Sequence, residues 1–256
     1  MDTQAEHSER DRSPEPDAGA GGRSRFSRTR ARIASVLSWR RVLAGAVLAT
    51  VALLLFSSYV VQPFLIPSRS MEPTLRVGDR VLVNKLAYRF GAEPERGDVV
   101  VFDGTGSFVR KDPDADPLTG LVHGAAASLG LADPADTDFV KRVVGVGGDR
   151  VVCCDTRGRL AVNGTVVDEP YLYPGDTASR VPFDIVVSSG TLWVMGDHRS
   201  RSSDSRDHLG SPGGGMVPVE RVTGRVDWLG WPPARVGSLT GTGAFGDVRA
   251  PGAAHG

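Results

Sequence analysis

The sequence predicts a mostly β protein: an antiparallel, barrel-like sheet domain outside a membrane, preceded by one transmembrane α-helix. Three observations predict it. The stretch Val42–Val61 runs for twenty residues without a charge. After it, short runs rich in β-branched residues recur, each bounded by Gly, Asp or Pro. Beyond the apolar run, no long stretch has the apolar spacing of an amphipathic helix.

Residues 1–41 read as an Arg-rich tail. Its first thirty residues are Asp, Glu, Ser, Arg, Pro and Gly with almost no large apolar side chains, too little to offset the entropy of ordering. Between 18 and 41 stand Arg23, Arg25, Arg28, Arg30, Arg32, Arg40 and Arg41 and no acid. At a rise of about 1.5 Å per residue the 42–61 run matches a hydrocarbon thickness of about 30 Å. A cleavable leader would have an apolar region of about 7–15 residues and a small-x-small site after it. This run is longer and leads into Gln62-Pro63-Phe64, so it reads as an uncleaved anchor. The arginines before it place the N-terminus in the cytoplasm and everything after Val61 outside. Trp228-Leu229-Gly230-Trp231-Pro232-Pro233 is too short and Pro-broken to span again.

Residues 62–236 form the exterior β domain. Expected strands are Arg80–Leu86, Asp98–Phe102, Phe139–Val144, Arg150–Val152, Leu160–Val162, Thr191–Met195 and Arg221–Val226. Asn163-Gly164 is a hairpin turn signal after Leu160–Val162. Two stretches, 103–137 and 168–184, are Gly-, Asp- and Pro-rich and read as surface insertions. Residues 237–256 read as a loose C-terminal tail.

The 256 residues carry no net charge, which excludes nucleic-acid binding driven by bulk charge. The two cysteines are neighbours, Cys153-Cys154, and are not a framework of spaced bridges. A bond between them and a pair of small buried thiols both remain open. No Cys-x-x-Cys with a later Cys or His exists, so no structural zinc is expected, and no cofactor motif stands in its place. Gly145-Val-Gly-Gly148 lacks the Lys-Ser/Thr of a phosphate loop.

Just beyond the anchor lies Pro67-Ser-Arg-Ser-Met-Glu-Pro-Thr-Leu75. Ser68 and Ser70 are two apart, so on extended backbone they face one side, and Pro73 then forces a turn. A serine hydroxyl attacks only when a neighbour removes its proton. The histidines outside the tails, His123, His198 and His208, sit in loop-like sequence, where a histidine is ordinarily solvated. The chain has three lysines, Lys85, Lys111 and Lys141. A free amine, with a pKa of about 10.4, is neutral in only about one molecule in 10³ near pH 7, and burial among apolar groups raises that fraction. Lys111 lies in Asp-rich sequence and should be solvated. Lys141, inside Phe139–Val144, stands modestly ahead of Lys85 on burial alone.

Five blocks, in order, resemble the bacterial type I signal peptidases, membrane-bound Ser–Lys serine proteases that remove signal peptides. They are the anchor, Ser68-Arg-Ser-Met-Glu-Pro-Thr-Leu75, Arg96-Gly-Asp-Val-Val-Val-Phe102, Lys141-Arg-Val-Val-Gly-Val-Gly-Gly-Asp149, and Gly196-Asp-His-Arg-Ser-Arg-Ser-Ser-Asp-Ser-Arg206. The chain departs from the family pattern at Gly147, where Pro is usual, at His198, where Asn is usual, and at Ser200 and Arg201.

The resemblance implies that Ser70 is the nucleophile, Lys141 the general base and Ser68 an oxyanion donor. Ser202 would orient Lys141, with Asp204 and Arg206 as a supporting salt bridge. It implies signal-peptide-bearing preproteins as substrates and the outer face of the cytoplasmic membrane as the place of action. Phe64, Ile66, Met71, Leu75, Phe139 and Val140 would line two shallow apolar pockets suited to small-x-small sites. The alternative for these six is plain core packing. Trp228 and Trp231 would touch either lipid headgroups or the core. Two other readings compete: a self-cleaving repressor peptidase with Ser–Lys chemistry, which the anchor disfavours, and an anchored β domain that binds exported chains without cutting.

Overall fold

In a computed structural model, which describes residues 24–109, 137–239 and 241–251, twelve β-strands follow one α-helix in the chain. The chain divides into two units, residues 1–51 and 52–256. The helix α1 runs from Ser24 to Tyr59. Its window Trp39–Phe56 is long and apolar enough to cross a membrane, and none of that window is buried by protein. Residues 24–41, expected as tail, are helical: the Pro- and Gly-rich sequence stops at Gly22, and Ala, Arg and Leu, which favour helix, follow. The helix ends before Val61, which instead opens the first strand.

The main sheet is antiparallel and open. Its strands are β1 (Val61–Leu65), β2 (Arg80–Asn84), β3 (Val99–Asp103), β4 (Asp138–Val146), β9 (Thr191–Met195), β10 (Val217–Pro218), β11 (Val222–Trp231) and β12 (Gly237–Ser238). The order across it is β1-β2-β11-β3-β4-β9-β10, with β12 paired to the far end of β11. Among the described residues its edges are β1 and β10, and it does not close into a barrel. A second sheet holds β5 (Arg150–Cys153), β6 (Leu160–Val162), β7 (Thr165–Val166) and β8 (Phe183–Val186) in the order β7-β6-β5-β8. β6 and β7 are joined by Asn163 and Gly164, both at positive φ (51° and 79°), the backbone of a tight hairpin turn.

Two strands were hidden in the sequence by proline. β1 contains Pro63, which an edge strand tolerates because its missing N–H need not face a neighbour. β8 follows Pro182 inside the stretch expected to be a surface insertion. That stretch is in fact packed. Tyr171, Ala178 and Phe183 join Val151, Leu160, Val162, Trp193 and Met195 in one buried cluster between the small sheet and strands β4 and β9. Its Pro and Asp residues set turns, while its aromatic and small apolar residues face inward. Of the other expected insertion, residues 110–136 lie outside the described residues, and with them Lys111 and His123. Cys153 and Cys154 are bonded to each other across a cis peptide, at the end of β5.

The expected C-terminal tail is also partly docked. β12 pairs with Trp228 and Leu229, and Phe245 is buried in the Trp193 cluster. A loose tail would tolerate Phe245→Ala. The packing seen here predicts a loss of about 3 kcal/mol, read as a lower denaturant midpoint at unchanged slope.

Candidate active site

The serine segment is rooted from below. Phe64 and Ile66 leave β1 into a buried cluster with Val81, Val83, Val99, Val101, Val226 and Leu229, and Met71 and Leu75 enter the same cluster from the turn beyond. Ile66 N–H donates to the Asp79 carbonyl at 2.9 Å, and Leu75 N–H to the Met71 carbonyl at 2.8 Å. Between these fixed points Ser70 is buried at the rim, while Ser68 stays exposed with its Oγ 3.3 Å from Ser70 Oγ.

Lys141 reaches this point from β4, where it pairs with Val100 of β3. Its Nζ lies 2.9 Å from Ser70 Oγ, and the residue is 4% exposed. Burial, resisted by the negative charges of Asp204 and Asp197 and assisted by Arg206, lowers the Lys141 amine to a pKa of about 8. The Phe139 ring centre is 5.9 Å from the nitrogen. Lys85, the other described lysine, is half-buried on the chain just after β2; burial and then Arg89 lower its pKa too. Lys141 is the one whose Nζ is seen against a serine hydroxyl, that of Ser70.

The Gly196–Arg206 segment closes over both groups. His198 N–H donates to the Ser70 carbonyl at 3.0 Å. Gly196 is required here: a Cβ on it would fall 2.3 Å from Ser202 Oγ and 2.5 Å from the Ser70 carbonyl oxygen. Ser202 is thereby brought beside Ser70, its Oγ buried without a hydrogen-bond partner. No Ser202–Lys141 bond is formed. Asp204 and Arg206 do pair, through Nε and a terminal nitrogen at 2.8 Å each, and Asp204 also accepts the Gly196 N–H at 3.0 Å. Burial alone would raise the Asp204 carboxyl, but the Arg206 bonds and charge outweigh it and hold the group below its ordinary range.

A second layer was not read from the sequence. Arg142, next to Lys141, is buried and binds Asp197 through two nitrogens at 2.8 and 2.7 Å. It also donates to the Gly97 carbonyl at 2.8 Å and lies 4.2 Å over the Tyr171 ring. Thr74 Oγ1 donates to Asp197 at 2.5 Å. Arg199 pairs with Glu169 and donates to the Gly196 and Ala178 carbonyls at 2.8 and 2.7 Å. The available signal was an arginine inside an apolar strand, which demands a buried carboxylate partner. The loop histidines also differ from expectation. His198 is buried, its ring stacked on Tyr173 at 3.8 Å, because the 168–184 stretch packs against it. His208 stacks on Phe108, and its ring meets Ser203 at 3.2 Å.

Of the six apolar residues expected to line pockets, Phe64, Ile66, Met71 and Leu75 are core in one cluster. Val140 is half-buried against that cluster, whereas Phe139 packs with Phe102 and Phe108 in another. Trp228 and Trp231 are each 52% exposed and thus not core.

Comparison with known proteins then decides the family. The family model for signal peptidase, peptidase S26, matches residues 39–231. The chain belongs to the signal peptidase family. It is 38% identical to signal peptidase I of Mycobacterium tuberculosis over 245 residues, covering 87% of this chain and 83% of that one. It is 38% identical to a probable signal peptidase I of Mycobacterium leprae over 226 residues, with coverages of 76% and 78%. Against signal peptidase I of Bacillus caldolyticus it is 34% identical over 206 residues, with coverages of 76% and 90%. Membership of this peptidase family and the single apolar α1 fit a membrane-anchored enzyme.

The buried pair yields a test independent of catalysis. Arg142→Met leaves Asp197 buried and unpaired and is expected to cost about 3–5 kcal/mol. The double variant Arg142→Met/Asp197→Leu should unfold at higher denaturant than Arg142→Met alone.

Proposed function

We propose that this signal peptidase is a Ser–Lys endopeptidase that cuts signal peptides from exported preproteins after small-x-small sites. The observation that carries the reading is the 2.9 Å approach of Lys141 Nζ to Ser70 Oγ in a dry setting. The neutral Lys141 amine takes the Ser70 proton as Oγ attacks the scissile carbonyl. The oxyanion is met by the Ser70 backbone N–H and the Ser68 hydroxyl, a donor worth about 10²–10³ in rate. The Lys141 ammonium then protonates the leaving amine, and the acyl-Ser70 ester is hydrolysed by a water that Lys141 deprotonates in turn. Ser202, buried beside Ser70 and in reach of the Asp204 carboxylate, orients the amine once a bound substrate settles the site. Asp204 and Arg206 hold the segment that carries it.

The preference for small side chains is supported by the tightly packed floor. Phe64, Ile66, Met71 and Leu75 are packed into one buried cluster with Val140 against it, so a substrate side chain seated there meets space already occupied. The arginines before Val42 favour an N-terminus in the cytoplasm and a catalytic domain on the extracytoplasmic side of the cytoplasmic membrane. Half-exposed Trp228 and Trp231 suit contact with the lipid bilayer. Zero net charge speaks against nucleic acid as a partner.

The test is an assay of the detergent-solubilised chain on a preprotein with an Ala-x-Ala site, the cut read by mass spectrometry. Ser70→Ala and Lys141→Met should each lose at least about 10³-fold in kcat/KM, and Ser68→Ala about 10²-fold. Retained cleavage in Lys141→Met sinks the base assignment. For the wild type, kcat/KM should rise about tenfold per pH unit toward pH 8, where Lys141 becomes neutral, and level above it.

The same lysine predicts a stability effect. Its folded pKa lies below the unfolded value of 10.5, so burying the ammonium costs about 3 kcal/mol near neutral pH. Lys141→Met should therefore be the more stable protein at pH 7. Between about pH 8 and 10.5 the unfolded chain binds more protons than the folded one, wild-type stability rises, and the gap should close. Equal denaturant midpoints at pH 7 would mean the amine is not desolvated.

A further inference from the structure

His198 occupies a position that the proposed mechanism does not use, yet it approaches the Ser70–Glu72 turn at both ends. Its backbone N–H holds the Ser70 carbonyl at 3.0 Å. Its ring is buried, flat against Tyr173, with Nδ1 lacking a hydrogen bond and 3.6 Å from Glu72 Oε2. Glu72 is two residues beyond Ser70 on the same turn, its own N–H bonded back to the Arg69 carbonyl at 3.1 Å. Residues 70–72 therefore lie between two handles of one residue, the first closed and the second open by less than 1 Å.

We propose that His198 is a positioning residue for the Ser70 turn: with a protonated ring it binds Glu72, and the turn is then clamped at both ends. The charge on a histidine changes between about pH 5 and 8, and N⁺–H···O⁻ bonds shorten to about 2.7–2.9 Å, so the 3.6 Å gap is one that protonation closes. The charges facing the ring are of the sign this requires. Glu72 approaches from the serine turn. Asp176, from the 168–180 stretch, interacts electrostatically with His198 and accepts Ser200 N–H at 3.0 Å. Arg180 is the opposing charge and acts on Asp176. Tyr173, whose N–H donates to the Asp197 carbonyl at 3.0 Å, keeps the ring from swinging away. The inference rests on Ser70 being the attacking residue.

The experiment compares kcat/KM of full-length wild type, His198→Asn, Glu72→Gln and Ser70→Ala in detergent, from pH 5.5 to 8.5, on the Ala-x-Ala preprotein. Asparagine keeps the backbone donor and a polar side chain but cannot gain charge. The ratio of wild type to His198→Asn should fall about fivefold from pH 5.5 to pH 8, the size of a partly exposed ion pair. The ratio of wild type to Glu72→Gln should fall in parallel, and it decides the matter alone if His198→Asn does not fold. Ratios that stay constant across pH reduce His198 to a structural residue and overturn the proposal. Cleavage surviving in Ser70→Ala overturns instead the reading beneath it.

Discussion

The buried ion pair of Arg142 and Asp197 is the contact on which the site depends. It joins three of the blocks visible in the sequence: Arg142 comes from β4 beside Lys141, Asp197 from the turn before His198, and Thr74, which donates to Asp197, from the turn that carries Ser70. Through the Gly97 carbonyl it reaches the Arg-Gly-Asp turn as well. Neither charge can be left alone in the core, so each compels the presence of the other. A single bidentate geometry thus sets the distance between a strand and two loops that are remote in the chain. The 2.9 Å approach of Ser70 and Lys141 is a product of that geometry.

Around this frame the site balances opposing demands. As the proposed base, Lys141 must be dry enough to lose its proton near neutral pH, yet Asp204 and Asp197 stand close enough to pull the proton back. Arg206 and Arg142 pair with those carboxylates directly, and the Arg206 charge offsets part of their pull on the amine. The result is an amine shifted partway, which suits the proposed base, one that must also act as an acid. In that proposal, the burial that destabilises the folded chain is the same burial that prepares the chemistry.

Much of this was legible in the sequence, for identifiable reasons. β-branched runs marked five of the six longest strands described in the domain, because their side chains need a pleated, half-buried surface. Ser70 and Lys141 stood out because one follows the apolar run and the other is a charge inside an apolar strand. What stayed hidden depended on partners remote in sequence. β1 was masked by Pro63, tolerable only because β1 is an edge. The 168–184 stretch resembled a surface loop because its turn residues outnumber the inward-facing Tyr171 and Ala178. The pairing of Arg199 with Glu169, and the burial of His198, follow from that stretch folding back, which local composition does not encode. The apolar residues near Ser70 read as pocket lining with plain core as the alternative, and four of them are core.

The strand order has a consequence for how the protein comes into being. β11 lies between β2 and β3, so the sheet beneath Ser70 is interrupted until residues 222–231 exist. A chain made from its N-terminus holds both Ser70 and Lys141 for some eighty further residues before their support is complete. Such long-range closure slows folding. Topology thus ties the alignment of Ser70 with Lys141 to the arrival of β11, whichever of the two residues has already been made.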